Sequence, residues 1–433
     1  MNAFKPVSYK SVADHALNGT PKPERGFELN LQQLDAVEKI GAFLYSDACY
    51  FGLYGYAGTG KTTTIHEALA DYGGTVAMSA PTHKAVGVLA SMDADSDVQF
   101  ATIHRLLGCR KQKKDGEIFF APDLNRAQAI HGYDVVVIDE CSMIGTEMWG
   151  WITQAVEDSD GELKVIVMGD PCQLPPVNDG DMSPTFELPC ARLDKIMRHQ
   201  GVIEQAATSM RESIESSARK LPLAQDAEDE HGEVINLHRT EFIDALMGDL
   251  GRAKVLAYTN KAVIWINAYI REQLFGADAQ PFEPGERLVL VETFSDGIYG
   301  MLHTETEVNV KTAGRAKLMG LDCWKLNVDY LEGGHFELYT LDAGQRGEYY
   351  RRLAKAKDRG KAGAGWGEFY DLKEAFARVR PGWATTIHKS QGSTYDHVYL
   401  IQTNVLSTAT DPAVRKMLLY VAYSRARKKL ILS

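Results

Sequence analysis

Gly55-Tyr-Ala-Gly58-Thr-Gly60-Lys61-Thr62 is the stretch on which the reading of this chain turns. It fills the pattern G-x-x-x-x-G-K-[ST] completely, between a predicted strand at Phe51-Gly-Leu53 and a predicted helix at Lys61–Asp71. Glycines there let backbone N–H groups close on an anion, and the helix N-terminus adds the positive end of its dipole. Lys61 is placed for the β- and γ-phosphates of a nucleotide, and the Thr62 hydroxyl for Mg²⁺. Gly55, Gly58, Thr59, Gly60 and Thr63 complete the expected nucleotide-binding loop. A chance glycine-rich turn would need neither the strand nor the helix.

Downstream, Val135-Val-Val-Ile138 reads as a buried strand that ends in the carboxylates Asp139 and Glu140. Beside a phosphate loop, Asp139 suits the Mg²⁺ shell, and Glu140 suits orienting and deprotonating a water. The expected cofactors are therefore ATP and Mg²⁺. These two motifs predict a nucleotide hydrolase and nothing narrower.

The 433 residues are too many for one simple core. Apolar residues make up 45% and charged residues 24%, and no apolar run approaches a membrane span. The first residues carry no signal-like apolar block, and the six cysteines are scattered without a C-x-x-C pair. Together these predict a reduced, cytoplasmic protein with no zinc site and no membrane partner. Net charge is −11, which argues against a protein that coats nucleic acid indiscriminately but not against one that grips a strand in a channel. Charge is uneven. Residues 226–230 are acidic, while Arg110–Lys114 and Arg425–Lys429 are basic; the plain reading of each run is a solvated face.

Residues 1–28 read as an irregular lead-in, and 29–190 alternate short strands with helices, the rhythm of an α/β parallel sheet. A basic, turn-containing ribbon interrupts it at about 105–128. The rhythm returns at 191–277 and 378–433. Between them, 278–377 reads as an insert, with strand-like alternation to about 342 and helices at about 345–357 and 366–378.

Seven further segments follow in order: Ala80-Pro-Thr-His-Lys-Ala85, Thr102-Ile-His104, Asp139-Glu-Cys-Ser-Met143, Gly169-Asp-Pro-Cys-Gln173-Leu-Pro-Pro176, Tyr258-Thr-Asn260, Thr386-Ile-His-Lys-Ser-Gln-Gly392 and Val421-Ala-Tyr-Ser-Arg425-Ala-Arg427. This ordered set resembles that of superfamily 1 helicases in the 5′→3′, RecD-like branch, from about Leu29 to Ser433. Any one segment alone would be weak. Departures are mild: Cys141 and Tyr423 are bulkier than usual for their places.

The resemblance implies two RecA-like motor domains, a small β-ribbon insert in the first and an SH3-like β-barrel insert in the second. It implies 5′→3′ travel on single-stranded DNA up to a single-strand/duplex junction, in phage-type replication, recombination or repair. By the same resemblance Gln33 reads adenine, with neighbouring Gln32 left open as a substitute. Gln173 senses the γ-phosphate, Arg198 and Arg425 reach the nucleotide from the second half, and Gly392 borders it. Pro81, Thr82, His83, Thr102, His104, Thr386, His388, Lys389 and Ser393 are DNA-facing positions, and Trp366 contacts the strand, with a core position as its alternative. The ribbon, with its Asp115-Gly116 turn, supplies a strand-separating wedge from Phe119 or Phe120. The protein is expected to be a monomer, with the barrel free to recruit a single-strand-binding or replication protein.

Three rivals stand beside this reading. A translocase that moves without parting strands shares every motif. A small-molecule kinase fits only the phosphate loop and Asp139-Glu140. A non-enzymatic adaptor predicts a damaged phosphate loop.

Overall fold

Every side chain of Val135-Val-Val-Ile138 is buried, because a strand covered on both faces sends each successive residue into one core or the other. The computed structural model describes residues 28–92, 98–114, 117–123, 127–176, 179, 181–197, 201–216, 218–295, 301–330 and 334–433. In chain order the first half contains β1 (Tyr50–Gly55), β2 (Val76–Ala80), β3 (Gln99–Thr102), a separate two-stranded ribbon of β4 (Cys109–Lys114) and β5 (Glu117–Pro122), then β6 (Val135–Ile138), β7 (Lys164–Gly169) and β8 (Cys190–Leu193). The sheet runs β3-β2-β6-β7-β1-β8, parallel throughout. Val135 and Val137 meet Ile40, Ile65 and Leu89 of the helices Leu31–Leu44, Lys61–Leu69 and His83–Met92 on one face. Val136 and Ile138 meet Ile103, Ile152 and Val156 on the other.

The second half holds β9 (Ala227–Asp229), β10 (Gly232–Asn236) and β11 (Ala253–Ala257). Next come β12 (Arg287–Leu290), the short pair β13 (Phe294–Ser295) and β14 (Met301–Leu302), and β15 (Glu307–Leu318), β16 (Leu321–Tyr330), β17 (His335–Leu341) and β18 (Val379–Pro381). The chain finishes with β19 (Ala384–Thr386), β20 (Tyr395–Leu400) and β21 (Ala426–Leu432). The sheet β19-β11-β20-β21-β10-β9 is parallel except for its edge strand β9. The inserted strands form their own antiparallel sheet, β17-β16-β15-β12-β18, around Leu288, Trp324, Leu326 and Leu338. Helices Arg346–Arg359 and Gly367–Glu374 follow it.

Two edges differ from the sequence reading. The first sheet reaches Leu193 rather than stopping at 190, because β8 pairs with β1. The insert reaches Pro381 rather than 377, because β18 pairs with β12. Both are edge strands of three or four residues that carry an arginine or a proline, too short to make an apolar run. No helix among the described residues is long and apolar enough to cross a membrane.

Candidate nucleotide and strand-binding sites

β1 ends at Gly55, and the loop that follows turns back into helix Lys61–Leu69. Gly60 caps that helix at φ +84, a left-handed conformation that costs an L-residue and not glycine. A side chain there would also strike the Gln33 amide. Gln33 is buried; its Nε2 donates to Thr59 O (3.1 Å), and its Oε1 accepts from Asn30 N (2.9 Å) in a capping box. Gln32 also touches the loop's surroundings, its Oε1 accepting from the backbone of Asp194 and Lys195 (both 3.0 Å). Lys61 Nζ donates to Gly55 O (2.8 Å) and Tyr56 O (3.1 Å), so it arches over its own loop. Thr59 is buried with its hydroxyl on Tyr56 O.

β7 lies beside β1 and β6 beside β7, so the segments after their carboxyl ends converge on the same loop. Gly58, Gly60, Lys61, Thr62, Thr63, Asp139, Glu140, Gln173, Gly392 and Arg425 border one cavity of about 390 Å³. Asp139 Oδ1 accepts from Glu140 N (2.8 Å), and Glu140 sits at φ +52, a conformation a glutamate holds at a cost of about 1–3 kcal/mol. Burial raises the Asp139 carboxyl above its usual range against the pull of Lys61. Burial together with the Asp139 charge pushes Glu140 up to about 7, opposed by Arg425 and Lys61. One carboxylate and one hydroxyl, Asp139 and Thr62, are oxygen donors of the kind that suit a Mg²⁺ ion taking its remaining ligands from water and substrate phosphates. That ion would draw charge from the phosphate oxygens.

The second half reaches into this cavity through the end of helix Pro412–Tyr423 and the turn after β19. Arg425 is buried and fixed by Val421 O (3.1 Å), Ser393 O (3.1 Å) and Ser424 Oγ (2.9 Å). Gln391 Nε2 donates to Gln173 Oε1 (3.3 Å) across the two halves. Asp170 is a junction that sequence reasoning passed over, although it lies inside a quoted segment. Its Oδ2 accepts from Ala57 N (3.1 Å) in the phosphate loop and from the Tyr420 hydroxyl (2.6 Å) in the second half. Tyr420 gives no sequence signal of its own among the apolar residues of that helix. Arg198 lies outside the described residues; nearby Met197 N donates to Gly58 O (2.8 Å).

The expected strand-facing residues follow other strands of the same two sheets. Pro81, Thr82 and His83 follow β2; Thr102 ends β3 and His104 follows it. Thr386 ends β19, and His388, Lys389 and Ser393 follow it. Their hydroxyls also do local work: Thr82 Oγ1 accepts from Ala85 N, Thr102 Oγ1 from Arg105 N and Thr386 Oγ1 from Lys389 N. Ser393 Oγ is buried with no hydrogen-bond partner among the described residues. Burial lowers the His83, His104 and His388 imidazoles below their usual range. Trp366 is 40% exposed and sits with Phe369 and Tyr370 on the insert, away from the hydrophobic cores. In the ribbon, Lys111 pairs with Phe120 and Gln112 with Phe119. The Asp115-Gly116 turn and the side chains of both phenylalanines lie outside the described residues.

The family described as AAA domain matches residues 28–237, and the UvrD-like helicase C-terminal domain matches 381–433. The ATP-dependent DNA helicase dda of Enterobacteria phage T4 is 28% identical over 86% of this chain and 92% of its own. The RecBCD enzyme subunit RecD of Mycobacterium tuberculosis is 27% identical over 87% of this chain and 65% of its own. Among solved structures, a Pif1 helicase described at forked duplex DNA aligns with TM-score 0.56 at 17% identity, covering 94% of this chain and 92% of that one. Pif1 helicase from Candida albicans aligns with TM-score 0.53 at 14% identity over 94% of each chain. These two are likenesses of fold. With the phosphate loop, the paired carboxylates and the second-half arginine at one cavity, the chain is similar along most of its length to the helicases Dda and RecD.

Proposed function

We propose that the protein is an ATP-dependent DNA helicase that travels 5′→3′ on single-stranded DNA and parts the duplex ahead of it. The observation that carries this reading is the one cavity bordered by Lys61, Glu140 and Gln173 from the first half and by Arg425 from the second. Lys61 binds the β- and γ-phosphates, Glu140 orients the attacking water and takes its proton, and Arg425 stabilises charge on the transferred phosphoryl group. Asp139 and Thr62 hold Mg²⁺, and Gln33 reads the adenine. Gln173 and Asp170 tie the phosphates to the second half through Gln391 and Tyr420, so hydrolysis changes how the halves meet. The strand lies along the ends of β2, β3 and β19.

The antiparallel insert is read as an SH3-like barrel that can recruit a single-strand-binding or replication protein, and the ribbon β4–β5 as the wedge. The protein acts as a monomer in the cytoplasm, on single strands and single-strand/duplex junctions. The test is ATP-dependent unwinding of duplexes with a 5′ or a 3′ tail. Unwinding that needs the 5′ tail is expected; a requirement for the 3′ tail overturns the polarity, and ATP hydrolysis with no unwinding on either tail makes the protein a translocase. Phe119→Ala or Phe120→Ala is expected to lose unwinding while keeping strand-stimulated ATPase, and parallel loss of both activities assigns the rings to structure.

A further inference from the structure

The turn His303–Thr306 belongs to the insert, yet it touches strand-facing residues of both motor halves. It is closed by Thr306 N donating to His303 O (3.1 Å) and moored to β12 by Glu305 N on Leu290 O (2.8 Å) and Leu290 N on Thr306 O (3.0 Å). His303 stacks on His83 of the first half, with ring centroids 4.6 Å apart and planes 10° from parallel. Two residues on, the Glu305 carboxylate takes two cations at once: Arg380 Nη2 at 2.7 Å and, from the turn after β19, Lys389 Nζ at 2.8 Å. Glu305 does this from φ +66, a backbone conformation that suits glycine and not glutamate. Two cations and one carboxylate leave an excess positive charge, fixed beside the imidazole pair, on a chain whose net charge is −11. Two converging cations with a neighbouring pair of imidazoles are the donors that a phosphodiester group selects.

We propose that Arg380 and Lys389 form a binding site for one backbone phosphate of the single strand, and that Glu305 is its built-in competitor. This rests on the helicase reading and deepens it: Arg380 joins the strand-binding residues, and the insert controls access to them. A strand phosphate must displace the carboxylate before both cations can serve it. Strand binding therefore loosens the 303–306 turn from the motor, and a lodged turn weakens strand binding. Because the contact is to the backbone, the effect is the same for every base sequence.

The test is fluorescence anisotropy of a labelled oligothymidylate with wild-type protein, E305Q, E305G, R380A and E305Q/R380A. Glycine occupies φ +66 without strain, so E305G removes the carboxylate while keeping the turn. E305Q and E305G are expected to bind about two- to fivefold more tightly than wild type, the size of a partly exposed ion-pair competition. Adding R380A is expected to cancel that gain and to reduce the dependence of log affinity on log salt by about 0.7, one phosphate contact on a single strand. If wild type binds and neither Glu305 variant binds more tightly, the ion pairs only brace the insert and the inference falls alone. If E305Q/R380A binds as tightly as E305Q, Arg380 touches no phosphate and the inference also falls. Wild-type protein that binds no oligonucleotide removes the helicase reading and this inference together.

Discussion

The two motor sheets share the order of five strands and differ in chemistry at one position. β1 and β10 occupy equivalent places, each next to an edge strand, the parallel β8 in the first sheet and the antiparallel β9 in the second. After β1 come the five residues 56–60 before helix Lys61–Leu69, and Ala57, Gly58 and Gly60 among them border the cavity. After β10 come only residues 237–238 before helix Arg239–Asp249, whose N-terminus is closed by a capping box between His238 and Glu241. There the Glu241 carboxylate already takes the His238 N–H (3.2 Å), and the connection is too short to wrap an anion as residues 56–60 can. The second half presents Arg425 and Gln391 to the first. At the other side of each sheet the chemistry is repeated. β3 and β19, equivalent in order, each end in the threonine of a Thr-Ile-His, at 102–104 and 386–388. In each the threonine hydroxyl accepts the N–H three residues on, the isoleucine is fully buried, and burial lowers the histidine. On the proposed reading, one nucleotide site is shared asymmetrically and one strand surface is repeated in both halves, which is what a motor needs to walk.

The asymmetry is most exposed to substitution at the phosphate loop. Lys61→Ala or Arg425→Ala is expected to lower kcat by about 10³-fold, since each removes a charge aimed at the phosphates. Arg239→Ala, at the equivalent turn of the second half, is expected to stay within about twofold. Steady-state ATPase checks all three, and a large loss at Arg239 would mean that the second half has a phosphate site of its own. Glu140→Gln is expected to keep ATP binding and stop hydrolysis.

The next effect is on the insert. Trp366→Ala is expected to weaken oligonucleotide binding by about tenfold if its exposed ring stacks on a base, as such contacts are worth about 1–3 kcal/mol. Titration of labelled single strands measures it, and unchanged affinity assigns the ring to its contacts with Phe369 and Tyr370.

The carboxylate pair gives a pH dependence with a definite sign. Glu140 serves as a base only when deprotonated, and its carboxyl is pushed up to about 7 by burial and by Asp139. In the free enzyme kcat/KM should rise about tenfold per pH unit on the acid side and level off above about 7. Glu140→Gln should flatten that limb. A limb that breaks near 4.5 would mean the carboxylate meets more water or more positive charge than its surroundings here supply.

How much of this could be read from sequence depended on how local the chemistry is. The phosphate loop and Asp139-Glu140 are contiguous, so residue type and spacing alone place them on a strand end and a helix start. The strands β8, β9 and β18 were missed, because edges of three or four residues carry no periodicity and are defined by a partner far along the chain. Asp170 and Tyr420 were missed for a related reason: their bond spans 250 positions, and neither residue type is diagnostic. The Thr-Ile-His recurrence was visible as letters, but three residues are no repeat until the strand order shows the two copies to be equivalent.

That recurrence makes the smallest and sharpest prediction. His104 and His388 stand at matching places after matching strands, each behind a capped threonine and a buried isoleucine. Both imidazoles are held below their usual range by burial, so at neutral pH they meet a phosphate or sugar as neutral donors. Removing one neutral hydrogen bond costs about 0.5–1.5 kcal/mol, or about two- to tenfold in affinity. His104→Ala and His388→Ala are therefore expected to weaken single-strand binding by similar factors. The double variant should show their product, since they follow strands of separate sheets. The slope of log affinity against log salt should stay the same in all three, because no cation is lost. Lys389→Ala, one residue on from His388, should by contrast lower that slope. If one histidine proves silent and the other costly, the strand surface is not repeated, and the two halves divide its work as unequally as they divide the nucleotide's.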